Sequence, residues 1–171
     1  MASNRHLGRI IALQTLYEEE VRREANDELL VVADVLARNI ERYKDMVDDV
    51  DFITNLVAGV DKRATELDAR LQPVAPEWPI DQISRMDRLV LRIGLYELEN
   101  DGDVPPKVVI NEADELAKAF GGDNSSKFVN GVLGTLLRQQ AETAAPAKKI
   151  VRKPAAKKTT KKTTKPKKEA A

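Results

Sequence analysis

Two small groups of residues have the types and spacing to hold single-stranded nucleic acid. Arg5, His6 and Arg9 stand in the first turns of a helix-forming segment whose far end carries Glu18, Glu19 and Glu20. Both ends oppose the helix dipole, at about 0.3–1 kcal/mol per exposed group. At 100° per residue, Arg5 and Arg9 project away from the apolar side of that segment, and His6 sits at its margin. The pattern fits a small cationic surface for phosphate with the acids kept away from it. It fits equally an ordinary charged face whose partners lie elsewhere in the fold. The second group is Lys127 and Phe128. A rim aromatic can stack a base while the neighbouring cation holds a phosphate; as a lone aromatic, Phe128 also suits a core position. Arg85, Arg88 and Arg92 form a basic stripe with Asp87 on a different side, either a solvated face or part of a protein interface.

Catalytic constellations are scarce. His6 is the only histidine and there is no cysteine, so neither an imidazole cluster nor a thiolate site for a metal can form, and no cysteine nucleophile exists. Asp48, Asp49 and Asp51 resemble the start of a calcium loop but lack the glycine and closing glutamate at the required spacing. They read as a solvated first helical turn. Gly121-Gly122-Asp123 has neither the Walker lysine nor a dinucleotide glycine pattern, and reads as a helix stop followed by an N-cap. No active site, metal or cofactor is expected, and the chain is not expected to be an enzyme.

The elements that must position these residues follow from composition and periodicity. The chain has 171 residues, 42% hydrophobic, 33% charged and 4% aromatic, enough for one or two small cores. No apolar run approaches the roughly 18 residues of a membrane span, and the N-terminus lacks a signal-peptide core; a reducing, cytoplasmic setting fits. The zero net charge hides a division: residues 141–171 carry 11 Lys or Arg against Glu142 and Glu169, a net +9, leaving −9 on residues 1–140. That Lys-, Ala-, Thr- and Pro-rich end is expected to be disordered, as a polyanion-binding arm or a solubilising extension.

Within residues 1–140 the apolar spacing is helical almost throughout. Leu7, Ile10, Ile11, Leu13, Tyr17 and Val21 line a first helix, and Leu29, Val32, Leu36, Ile40 and Tyr43 a second. Met46, Val50, Ile53, Val57, Val60, Ala64, Leu67 and Leu71 line a third, in alternating steps of four and three. Pro73, Pro76 and Pro79 then mark a junction. A helix over 80–99 is apolar nearly all round and should be central. Pro106 suits the first turn of the next helix, which ends at Gly121-Gly122, and a last helix follows Asp123. Its period continues through Asn130-Gly131 without shifting phase, which excludes a hairpin there. The expected fold is all-α: six to seven helices in two small three-helix-like bundles, over residues 1–72 and 80–140, joined by a proline-rich junction at 73–79.

The stretches ALQTLYE (Ala12–Glu18), DRLVLRIGLYEL (Asp87–Leu98) and VPPKVVINEADELAKAFGGDNSSKFVNGVLG (Val104–Gly134) closely resemble the NusB family of bacterial transcription antitermination factors. The similarity covers about residues 5–138. It implies an all-helical protein that binds boxA-type RNA together with the ribosomal protein NusE, joins other Nus factors on RNA polymerase and supports ribosomal RNA synthesis. It places RNA contacts at Arg5, His6, Arg9, Gln14, Lys127 and Phe128, and NusE contacts at Tyr17, Asp87, Arg88 and Asn124. His6, Leu7 and Gly8 dilute the arginine cluster usual in the family. The resemblance also implies monomers or homodimers, and self-repulsion of the −9 body points to a weak homodimer. Two other readings share these features: a helical adaptor that binds only protein, and a module like that fused to ribosomal-RNA cytosine methyltransferases.

Overall fold

A computed structural model describes residues 2–100 and 104–144. The helices are α1 (Ala2–Glu24), α2 (Val32–Arg42), α3 (Val50–Leu71), α4 (Arg85–Asn100), α5 (Pro106–Phe120) and α6 (Ser125–Ala144), with a 3-10 turn at Gln72–Val74 and no strand among the described residues. The all-α architecture expected from the periodicity is therefore the one observed. α1 packs on α2, α3 and α4, while α4 also receives α5 and α6. Leu89, Val90, Leu91, Ile93 and Leu95 of α4 are all buried, as its apolar circumference requires. Through them Ile11, Leu36, Ile53 and Leu67 of the first three helices join Leu116 and Leu133 of the last two in one continuous core.

Local caps move three helix starts from where periodicity alone puts them. Asn26, at φ 53°, takes the chain out of α1, and Asp27 Oδ1 accepts the Leu29 N–H at 2.9 Å. That turn leaves Leu29 85% exposed rather than on the apolar face of α2. Asp49 Oδ1 accepts the Phe52 N–H at 3.0 Å and starts α3 at Val50, so Met46 and Val50 lie exposed and the buried seam begins at Ile53. Ser84 Oγ accepts the Asp87 N–H at 3.1 Å, and α4 begins at Arg85 rather than near 80.

Other boundaries fall where the sequence places them. Pro106 occupies the first turn of α5, and Gly121 ends it. The need for glycine at 121 is steric: φ is −89°, but a Cβ there would lie 2.4 Å from the Ser125 side chain and 2.6 Å from the Ala117 carbonyl oxygen. α6 is helical through Asn130-Gly131 and on to Ala144. The lysine-rich segment from 145 onward lies outside the described residues.

Candidate nucleic-acid and protein interface

The start of α1 presents its cations in paired form. Arg5 Nε donates to Asp49 Oδ2 at 3.2 Å, and its guanidinium stands 4.9 Å from the Phe52 ring centroid. Its side chain remains 37% exposed, so the cation is held but not sealed. His6 Nδ1 lies 2.7 Å from Glu112 Oε2 of α5, also half-exposed. Gln14 is half-buried one turn before Tyr17.

Arg9 departs from the expectation that it projects off the apolar face. Its side chain is 3% exposed and sits against Glu97 of α4, itself 2% exposed. Nε donates to Glu97 Oε2 at 2.8 Å and Nη2 to Oε1 at 2.6 Å, with Nη1 3.4 Å from Glu112 Oε2. The reason is tertiary. α1 is enclosed by α2, α3 and α4, so a position polar on a helical wheel ends up inside, where a buried carboxylate receives it.

The second group is more open. Lys127 is exposed in the first turn of α6, and Phe128 is half-buried with one side on the core. The two groups lie on either side of α5: His6 meets Glu112, while Ser126 Oγ donates to Asp114 Oδ1 at 2.5 Å. Glu112 and Asp114 are about 200° apart around the helix and about 3 Å apart along it. α5 thus holds the starts of α1 and α6 at one level, with its outward face between them. The Lys118 ammonium and the Ser126 hydroxyl hold the Asp114 carboxyl below the usual carboxylate range.

Phe128 and Asn124 line a cleft of about 430 Å³ with Asp87, Ser84, Gln82 and Trp78. Trp78 is 55% exposed and was not among the residues expected from the sequence. Its signal was there to read: the chain's only tryptophan, set in a proline-rich loop where a buried role is hard to build.

The Tyr17 ring is exposed, with the Arg85 guanidinium 5.6 Å from its centroid. The basic stripe of α4 proves to be a clasp within the chain. Arg85, Arg88 and Arg92 all reach Glu20 near the end of α1, Arg88 Nη2 at 3.0 Å. Arg92 also forks onto Asp68 of α3 at 2.7 and 2.6 Å. The expected conflict of Glu18, Glu19 and Glu20 with the helix dipole does not arise, because α1 runs on to Glu24 and carries Arg22 and Arg23 in its last turn. Glu18 accepts from Arg38 and Arg22, and Glu19 pairs with Arg23 at 2.6 Å. Burial and the neighbouring Asp61 push the Glu19 carboxyl up to about 7.

A family model described as the NusB family matches residues 6–138. The transcription antitermination protein NusB of Dehalococcoides mccartyi (strain CBDB1) is 41% identical over 144 residues, covering 84% of this chain and 96% of its own. Its counterpart from Chloroflexus aggregans (strain MD-66 / DSM 9485) is 44% identical over 148 residues, covering 85% and 95%. Among solved structures, T. maritima NusB has a TM-score of 0.70 at 28% identity, covering 79% of this chain and 91% of its own. A structure of antitermination factors NusB and NusE in complex with dsRNA has a TM-score of 0.69 at 23% identity, covering 81% and 99%, a likeness of fold. With the family model spanning almost the whole helical body and relatives matched over nearly their full length, the chain belongs to the NusB family.

Proposed function

We propose that this protein is a transcription antitermination factor that binds boxA-type single-stranded RNA together with ribosomal protein NusE. In this reading it joins other Nus factors on RNA polymerase in the cytoplasm and supports ribosomal RNA synthesis. The observation that carries the reading is the family match across residues 6–138, with relatives named as transcription antitermination proteins. The protein acts by binding, without catalysis. Among the described residues no helix is long and apolar enough to cross a membrane, and no three His, Cys, Asp or Glu residues gather to hold a metal.

The RNA surface comprises Arg5 and His6 on one side of α5 and Lys127 and Phe128 on the other, with Gln14 at its edge. Arg5, His6 and Lys127 meet phosphates, and Phe128 stacks a base; phosphate contacts set register while base contacts discriminate. Arg9 serves this surface from inside, by fixing the start of α1 against α4 and α5. Tyr17, Asp87, Arg88 and Asn124 form the NusE surface, and the lysine-rich C-terminal segment adds phosphate contacts. A homodimer through the RNA surface is weak and gives way to the ligands.

The internal pairing of Arg5, Arg9, Arg85, Arg88 and Arg92 favours a second reading, a helical adaptor that binds protein only. Fluorescence anisotropy with labelled boxA-type and scrambled RNAs, with and without NusE and with a duplex competitor, separates the two. Antitermination predicts a preference for the boxA-type strand that strengthens with NusE. Equal binding of both strands in the presence of NusE would leave the adaptor.

A further inference from the structure

A groove of about 600 Å³ runs along α3 from Asp49 to Lys62, walled by the last turns of α4 and the start of α1. Its floor is apolar: Leu56 with the half-buried rings of Phe52 and Tyr96. The Tyr96 ring lies against Gly59, where a Cβ would stand 2.2 Å from its hydroxyl oxygen. The charges are graded along its length. Arg5 and Glu97 line it already paired, with Asp49 and Arg9. Lys62 is exposed at one end and Asp51 at the other, with exposed Asp48 just before α3.

The Lys62 end of the groove adjoins the end of α6. Gln140 and Thr143 share a neighbouring depression with Arg63 and Glu99, and Asn100 lines both spaces. From Ala145 the sequence continues APAKKIVRKPAAKK. Residues 145–147 are uncharged, as passage beside Lys62 requires. Ile150 and Val151, the only sizeable apolar side chains beyond α6, are flanked by Lys148, Lys149, Arg152 and Lys153. The lengths agree as well: Asp49 to Lys62 spans about 20 Å of helix, and residues 147–153 reach about 20 Å when extended. RNA does not suit this groove, because the exposed carboxylates of Asp48 and Asp51 oppose phosphate.

We propose that residues 147–153 of this chain lie along the groove, with Ile150 and Val151 on Phe52, Leu56 and Tyr96, and with Arg152 and Lys153 toward Asp51 and Asp48. Between separate molecules, exposed ion pairs and a two-residue apolar anchor make a weak contact. Here the segment is tethered to α6, at an effective concentration of about 1 mM, so a contact with an intrinsic Kd of about 0.1 mM is roughly nine-tenths occupied. The docked segment delivers the lysines from Lys157 to Lys168 beside Arg5, which is bonded to Asp49 at the groove's far end. The docking stands without the RNA-binding reading above; only the phosphate contacts of those lysines rest on it.

The chain has no cysteine, so a nitroxide on Ala155→Cys labels the full chain at one place. Without RNA, the amide NMR signals of Asp51, Asn55 and Ala58 should lose most of their intensity, while those of Asp34 on α2 and Asp81 before α4 retain it. Ile150→Ser with Val151→Ser keeps every charge and should restore the lost signals. Trypsin gives a second reading, since cleavage tracks the undocked fraction. The bond after Arg152 should be cut about tenfold more slowly than in Ala58→Arg, which fills the groove from an exposed position. Equal losses at Asp34 and Asp81, or losses that persist with the two serines, would overturn the docking in favour of diffuse charge attraction. Losses as strong in a mixture of labelled and separately isotope-enriched chains would overturn it in favour of the same segment from a second copy. A chain that binds no RNA but shows the expected losses would give up the RNA reading and keep the docking.

Discussion

Replacing Arg9 by alanine should unfold more than it unbinds. The guanidinium and the Glu97 carboxylate are 3% and 2% exposed and share hydrogen bonds of 2.6, 2.8 and 3.1 Å, with Glu112 Oε2 3.4 Å from Nη1. Removing one member leaves a charge in a place that water does not reach. Broken buried pairs of this kind lose about 3–5 kcal/mol. Against a total stability of about 5–15 kcal/mol, that is a large share. For a body of this size it lowers Tm by roughly 10–20 °C. Urea unfolding followed by circular dichroism gives the stability directly, and RNA anisotropy well below the transition gives binding by the folded fraction. Arg9→Ala should lose the full 3–5 kcal/mol, a range of about that size being usual for such pairs. Arg9→Met with Glu97→Leu, which removes both charges and retains volume, should return to within about 1 kcal/mol of the parent or exceed it. Arg5→Ala serves as the contrast. At 37% exposure its pairing with Asp49 is worth at most about 1 kcal/mol to stability, so any loss of RNA affinity there is a surface effect. A stability loss under about 1 kcal/mol for Arg9→Ala, with RNA affinity falling as in Arg5→Ala, would refute the buried assignment.

Glu19 ties stability to pH: its carboxyl is raised from 4.5 to about 7, so the folded state holds the proton more tightly and stability falls as pH rises across that window. Glu19→Gln should flatten this slope and raise stability at pH 8 by about 1–3 kcal/mol, measured by urea unfolding at several pH values. Gly94→Ala places a methyl 2.6 Å from buried Leu133 Cδ1 and should lose about 1–3 kcal/mol by overpacking the α4–α6 interface, measured by thermal unfolding. Tyr17→Asp should weaken NusE binding by calorimetry with helix content unchanged, since Tyr17 is exposed and α1 does not depend on it for burial. Deleting residues 145–171 should flatten the salt dependence of RNA affinity, by about 0.7 in logarithmic slope for each phosphate that the segment neutralises, while the preference for matched over scrambled RNA survives.

What the sequence by itself determined is the set of helices and the family. Apolar steps of three and four identify α3 from Ile53 to Leu71 and mark α4 as central. Pro106 and Gly121 bound α5, and the motifs from Ala12 to Gly134 carry the likeness to NusB proteins. These properties are local: a helix's period, a cap and a short motif are each contained in consecutive residues. What only the tertiary structure decided is which charged residues face outward. On a helical wheel Arg9 looks as available as Arg5, and Arg85, Arg88 and Arg92 look like a surface stripe. Their pairing within the fold depends on Glu97, Glu20 and Asp68. Those carboxylates lie 24 to 88 residues away in sequence, with no spacing rule to connect them. The cleft was hidden for the same reason, since Trp78, Asp87 and Phe128 meet only when the proline-rich junction turns the start of α4 toward the start of α6. Helical periodicity states that a side chain points off the apolar stripe; whether it then meets water or another helix is settled by the packing of the described helices around one core.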